Sequence, residues 1–320
     1  MKIVIADKDS VGNDMDYSIY DELGEVDYYD DKVTDENAAE RLAGAEVLVI
    51  NKSIITDKVL DDAPDLKLIC EFATGFDNAN VPACNAHGVK VANIAGYSTP
   101  SVAQHTFALL FYLMESMRHY DEFVKSGAYA DQSHFCCLDI PFHELEGMTY
   151  GIVGMGNIGR KVAQIATAFG AKVIFYSASG NSTCTDYEQV SFDELLERSD
   201  VISLHCPLSE RTRNLFDAKA FDKMKKTAIL INVARGAVVS EQDLADALTE
   251  GKIAAAGLDV LNPEPMAKDS PLLKIQDSTK LMITPHLAWA STEARKRCLE
   301  EVKKNIVAYQ RGESRNIVNP

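Results

Sequence analysis

No stretch of about 18 uninterrupted apolar residues occurs in these 320 residues, so no segment reads as a bilayer-spanning helix. Cysteine is sparse and unpatterned: seven residues, an odd count with no CxxC spacing, fit free thiols in a reducing compartment better than a disulfide framework. The adjacent Cys136 and Cys137 read as ordinary buried or loop thiols. No HExxH or other ligand spacing occurs, so no metal site is expected. Positive charge is the scarcest resource. Lys and Arg total 32 against 48 Asp and Glu, a formal net charge of −16. Such a field repels nucleic acid and anionic membranes, and neither is an expected partner. An anionic small molecule would have to be met by a local positive group.

What is present is a globular composition, 46% hydrophobic and 25% charged, which excludes disorder and collagen-like structure. The length exceeds what one hydrophobic core usually serves, so two domains are expected. Residues 1–7 are too short an apolar run for a signal peptide and read as a buried strand, and the expected location is cytoplasmic. Apolar runs at 2–6, 47–51, 68–72 and 90–93 read as strands, separated by helix-compatible stretches such as 34–43 and 57–63. The rhythm resumes at 149–153, 172–176, 201–204, 228–232, 254–259 and 281–284. Connections of this length return along a sheet, which implies an α/β fold with parallel pairing. Thr99, Pro100 and Ser101 form a helix-start signal before the apolar run 102–117, a helix expected to be buried between domains or subunits and hinting at a homodimer. Ser291 is placed to cap a long final helix. The expected division is a discontinuous first domain, 1–98 plus 289–320, with 99–288 inserted.

Gly154, Gly156 and Gly159 form a GxGxxG turn between a strand and a helix with apolar residues at Ile158, Val162, Ile165 and Phe169. Gly154 permits the tight turn, Gly156 lets backbone approach a pyrophosphate, and Gly159 lets helix pack on strand; the helix amides then meet the diphosphate. About twenty residues on, an acid normally holds the ribose 2′-OH of NAD, whereas residues 177–182 read Ser-Ala-Ser-Gly-Asn-Ser. Asp186 and Glu188 follow and no cation is adjacent, so the reading leans to NAD and leaves NADP open.

Three later strand ends carry chemistry. Arg235 follows the strand at 228–232, and its planar fork suits a carboxylate, supplying the local positive group. Glu264 stands between Pro263 and Pro265 on a stiff loop, and His286 follows Pro285 in the stretch crossing back to the first domain. A His handles a proton near neutral pH, and a carboxylate beside it fixes its tautomer. Together they suit hydride exchange between a nicotinamide and a small 2-oxo acid clamped by Arg235. His205 is read as a cofactor-side group and His105 as a buried or interface histidine.

GMGNIG at 154–159, NVARG at 232–236, GLDVLNPEP at 257–265 and TPHLAWAS at 284–291 resemble the D-isomer-specific 2-hydroxyacid dehydrogenase family over nearly the whole chain. Asn51-Lys52, the run 73–78 and the run 96–104 resemble its glycerate dehydrogenase (hydroxypyruvate reductase) branch. The resemblance implies two doubly wound parallel-sheet domains, a Rossmann cofactor domain inserted into a flavodoxin-like substrate domain. It implies Arg235, Glu264 and His286 as catalytic residues, and Thr74 and Gly75 as amide donors to the substrate carboxylate. Asn157, Ile158, Ser177, Cys206, Pro207, Thr212, Ala234 and Asp259 would lie along the cofactor, Asp259 at the nicotinamide carboxamide or its ribose. Hydroxypyruvate or glyoxylate leads pyruvate as substrate, and Glu264 argues against the formate-oxidising relatives. The alternative from another class is a dinucleotide-sensing, co-repressor-like interaction protein on the same fold.

Overall fold

A computed structural model describes every residue except Asn181, which falls in the stretch after the second strand of the glycine-turn domain, and Pro320. The chain divides into two compact units, Met1–Ser98 with Ala290–Pro320, and Thr99–Trp289.

The first unit holds a parallel sheet of β1 (Lys2–Ile5), β2 (Glu25–Tyr28), β3 (Val47–Ile50), β4 (Leu68–Glu71) and β5 (Lys90–Ala92), in the order β2-β1-β3-β4-β5. The runs in β3 and β4 are buried at every position, as expected of strands covered on both faces. The strand β2 escapes the apolar-run criterion because it lies at the sheet edge, partly exposed throughout. Val4, Leu48, Ile50, Ile69 and Val91 pack with the helices on one face into a single core. Ser291 caps the Thr292–Gln310 helix by accepting from the Ala294 amide at 3.2 Å, and the tail returns along β5, where the Val318 amide donates to the Val91 carbonyl.

The second unit is a seven-stranded parallel sheet. Its strands are β6 (Thr149–Val153), β7 (Lys172–Tyr176), β8 (Glu188–Gln189), β9 (Val201–Leu204), β10 (Ile229–Asn232), β11 (Ala255–Leu258) and β12 (Leu281–Ile283). Their order is β12-β11-β10-β9-β6-β7-β8. The two-residue edge strand β8, exposed at both positions, also carries no apolar signal. The order reverses direction between β6 and β9, the kind of switch point where open α/β sheets bind ligands.

The apolar helix spans Thr99–Met114, with Thr99 already inside its first turn rather than capping it. Its buried face, including Ala103, Leu109, Leu110 and Leu113, packs within its own unit against β10, β11 and the Asn157–Ala168 helix. Close approach to the sheet explains its apolar character, because a side chain at Gly257 would press on Leu109 and Leu113. This packing within one unit accounts for the buried residues of the helix without a second copy of the chain. Among the described residues no helix is long and apolar enough to cross a membrane, and the seven cysteines are unpaired.

Candidate active site

Gly154 closes β6 with a φ of +94°. A Cβ there would meet the backbone nitrogen of Cys206 at 2.8 Å, so the turn fits against the end of β9 only without a side chain. The His205 amide donates to the Val153 carbonyl at 2.8 Å and the Gly154 amide to the Tyr176 carbonyl at 3.0 Å, fastening the turn to both neighbouring strands. The Asn157–Ala168 helix starts after Gly156 with no side-chain cap, and no atom lies within 4 Å of where a Gly156 Cβ would stand. The space beside Gly156 is thus open, no side chain caps the helix start, and Asn157 and Ile158 begin the helix. This cradle fits a dinucleotide pyrophosphate.

Ser177 follows β7, while Cys206 and Pro207 follow β9. Thr212 is buried, and its hydroxyl is used inside its own loop, donating to the Pro207 carbonyl at 2.8 Å and accepting from the Ser209 amide at 2.8 Å. His205 shares Nε2 with the Ser203 hydroxyl at 2.9 Å, and its buried Nδ1 has no partner among the described residues. Burial pushes its pKa down to about 3, so it is not the proton carrier at neutral pH.

The register of the sheet builds the chemical end. Asn232 of β10 pairs with Leu258 of β11, which pairs with Ile283 of β12. The residues just past these three positions therefore emerge side by side, at strand spacings of about 4.8 Å. Asn232 shapes the first loop: its side chain accepts from the Ala234 amide at 3.0 Å and donates to the Arg235 carbonyl at 3.0 Å. Arg235 Nη1 donates back to the Ala234 carbonyl at 2.9 Å. A side chain at Gly236 would collide with the Leu261 backbone, so the Arg235 loop lies directly on the turn leading to Glu264. That turn is tied to the acid itself, the Leu261 amide donating to Glu264 Oε1 at 2.9 Å.

The other Glu264 oxygen, Oε2, lies 2.8 Å from His286 Nδ1, and both side chains are about one-third exposed. His286 has a φ of +56°, a left-handed conformation costly for a residue with a Cβ, held by its amide donating to the Asp259 carbonyl at 2.8 Å. Asp259 underlies the loop. It is 1% exposed, and it accepts from Thr284 Oγ1 at 2.6 Å, the Leu287 amide at 2.7 Å and the Ala288 amide at 2.8 Å. Burial works against its charge, but hydrogen bonds from His105, Thr284 and these two amides outweigh it and hold the carboxyl below the usual range. Asp259 is thus committed to bracing His286, a role its motif did not announce. His105 joins the brace with Nε2 2.9 Å from Thr284 Oγ1 and 3.4 Å from Asp259, a link between residues far apart in sequence. In the first unit, Thr74 follows β4 and is held by donating to the Ile94 carbonyl at 2.7 Å.

A glycine turn beside the switch point and an Arg, a Glu and a His gathered at the same sheet edge define a dinucleotide-dependent oxidoreductase. Comparison with known proteins agrees. The family described as "D-isomer specific 2-hydroxyacid dehydrogenase, NAD binding domain" matches residues 107–288. The chain is 37% identical to the hydroxypyruvate reductase of Blautia hydrogenotrophica, covering 100% of both chains. It is also 37% identical to the glycerate dehydrogenase of Methylorubrum extorquens, over 99% of this chain and 98% of that one. Among solved structures, D-lactate dehydrogenase from Aquifex aeolicus complexed with NAD and lactic acid matches at 30% identity and a TM-score of 0.86, over 99% of each chain. An acyclic imino acid reductase (Bsp5) in complex with NADPH and D-Arg matches at 30% identity and a TM-score of 0.89, over 99% of this chain and 100% of that one. The chain belongs to the D-isomer-specific 2-hydroxyacid dehydrogenase family. It is an oxidoreductase acting between 2-oxo and 2-hydroxy acids with a nicotinamide dinucleotide.

Proposed function

We propose that the chain reduces a small 2-oxo acid, hydroxypyruvate or glyoxylate foremost, to its D-2-hydroxy acid with NAD(P)H. The observation that carries this reading is the 2.8 Å contact between His286 Nδ1 and Glu264 Oε2. With Nδ1 donating to the carboxylate, Nε2 is the ring nitrogen left to give a proton to the substrate carbonyl oxygen and to take it back in the reverse direction. Glu264 keeps the ring oriented and offsets the charge of the imidazolium. Arg235 clamps the substrate carboxylate, fixing the carbonyl carbon in distance and angle. Thr74 and Gly75 are the proposed further amide donors to that carboxylate. A bound nicotinamide supplies or accepts the hydride. The hydroxypyruvate reductase and glycerate dehydrogenase relatives support the choice of hydroxypyruvate, and a 38% identical glyoxylate reductase of Korarchaeum cryptofilum supports glyoxylate.

We also propose a homodimer in a reducing, cytoplasmic setting. Beyond the Met117–Lys125 helix, Phe135 is 90% exposed, Leu138 79% and Phe142 55%, an apolar segment that suits a second copy of the chain. The unpaired thiols suit the compartment.

The reading is tested by a matrix of NADH and NADPH against hydroxypyruvate, glyoxylate, pyruvate and bulkier 2-oxo acids. Turnover of the three-carbon and two-carbon acids is expected. Dinucleotide binding with no rate above background for any acid would overturn it in favour of a dinucleotide-sensing protein.

A further inference from the structure

The carboxyl end of β7 holds polar groups that the proposed reaction leaves unused, and a role for them rests on the dinucleotide-dependent reading. When a glycine turn after the first strand takes the pyrophosphate, the adenosine ribose falls at the end of the second strand. A carboxylate there accepts from the 2′-OH and repels a 2′-phosphate. Here the place is taken by Ser177, whose Oγ lies 3.2 Å from Ser179 Oγ in a turn closed by the Gly180 amide on the Ser177 carbonyl at 3.0 Å. The segment beyond the turn receives a cation from the glycine-turn helix itself: Arg160 Nη2 donates to Thr183 Oγ1 at 3.0 Å. Sequence alone shows no cation at this strand end, because Arg160 belongs to the preceding helix. Of the two acids that tilt the sequence reading toward NAD, Asp186 and Glu188, the second is engaged by a cation. Both Glu188 oxygens are held by Arg198, at 2.8 and 2.7 Å.

We infer that the chain prefers NADP(H), with Arg160, Ser177, Ser179 and Thr183 forming the subsite for the 2′-phosphate. A phosphate monoester carries between one and two negative charges and accepts several charge-assisted hydrogen bonds, so it needs a cation and donors together. One guanidinium and three hydroxyls, with no carboxylate among them, meet that need within a chain of net charge −16. Discrimination comes from the hydrogen bonds that a phosphate accepts and a hydroxyl does not. No group is placed to exclude a bare 2′-OH, so NADH remains a weaker cofactor rather than a rejected one.

The test is a fluorescence titration of the full chain with NADPH and with NADH, together with the KM of each at a fixed 2-oxo acid. NADPH is expected to bind about ten-fold tighter, the scale of one added charge-assisted contact. Arg160→Gln should cut the NADPH-to-NADH preference by about ten-fold, with Arg160→Lys restoring part of it. Ser177→Asp should reverse the order by bringing a carboxylate to the 2′ position. Equal binding or tighter NADH binding in the unaltered chain, or a preference that Arg160→Gln does not move, overturns the inference while leaving the dinucleotide-dependent reading intact. Binding of neither dinucleotide overturns that reading, and this inference with it.

Discussion

Glu71 ends β4 with no solvent exposure, and one of its oxygens, Oε1, has no partner among the described residues. Nearby, Asp7 Oδ2 accepts the amides of Asn51, Lys52 and Ser53 at 2.9, 2.9 and 2.8 Å, which pins the loop after β3. Asn78 bridges the two, donating to the Ser53 carbonyl at 2.8 Å and to Glu71 Oε2 at 3.3 Å. Burial pushes the Glu71 carboxyl up to about 8, with the negative Asp7 adding to the effect against the opposing Asn78 bond. A carboxyl whose pKa is raised by folding binds more protons folded than unfolded between its two pKa values. Stability therefore falls as pH rises from about 4.5 toward 8 and levels off above that. The expected loss is on the order of a few kcal/mol. Urea unfolding at pH 5, 7 and 9 should show it, and Glu71→Gln should flatten the profile; an equally steep profile in that variant would remove Glu71 as the cause. At the chemical end, His286→Ala should lower kcat by about a hundred-fold or more with a small change in KM. Arg235→Lys should instead raise the 2-oxo acid KM by about ten-fold, since an ammonium cannot make two parallel bonds to a carboxylate. Steady-state kinetics separates the two, and a kcat that survives loss of His286 would remove it from proton transfer.

Elements covered on both faces declare themselves in sequence, and so do the edge strands β5 and β12, which keep buried apolar positions; the edge strands β2 and β8 do not. The strands β3, β4, β9 and β10 are apolar because each is flanked by other strands and covered by helices, and their positions are readable from the runs alone. No residue of β2 or β8 is fully buried, so these two carry polar positions and no apolar run forms. The apolar length of the Thr99–Met114 helix identifies it as buried without saying which surface buries it. The dimer proposal therefore rests on the segment beyond Met117–Lys125, where Phe135 and Leu138 leave little surface covered. Replacing both with Glu places two charges per copy in an apolar contact, and the double variant should sediment as a monomer with its far-UV circular dichroism unchanged. A chain that is already monomeric without the substitutions would end the dimer proposal.

At the scale of the whole molecule, the proposed site was legible because its parts sit at strand ends, where a motif and its neighbouring run are read together. The braces beneath it were not. His105, Thr284 and Asp259 meet only through the fold, and the contact of Asp7 and Glu71 with one loop system needs β1, β3 and β4 side by side. The charge was legible from the start, and it has a kinetic consequence. A molecule of net charge −16 repels an anionic acid and an anionic dinucleotide during approach, and Arg235 acts only at short range. Salt shortens that repulsion, from a Debye length of about 30 Å at 0.01 M to about 8 Å at 0.15 M. The value of kcat/KM for the 2-oxo acid should therefore rise, by about two-fold or more, as sodium chloride is raised across that range at constant pH. A substrate steered by a positive surface would respond in the opposite sense. A falling kcat/KM would mean that the cations around the site govern approach and that the overall charge does not.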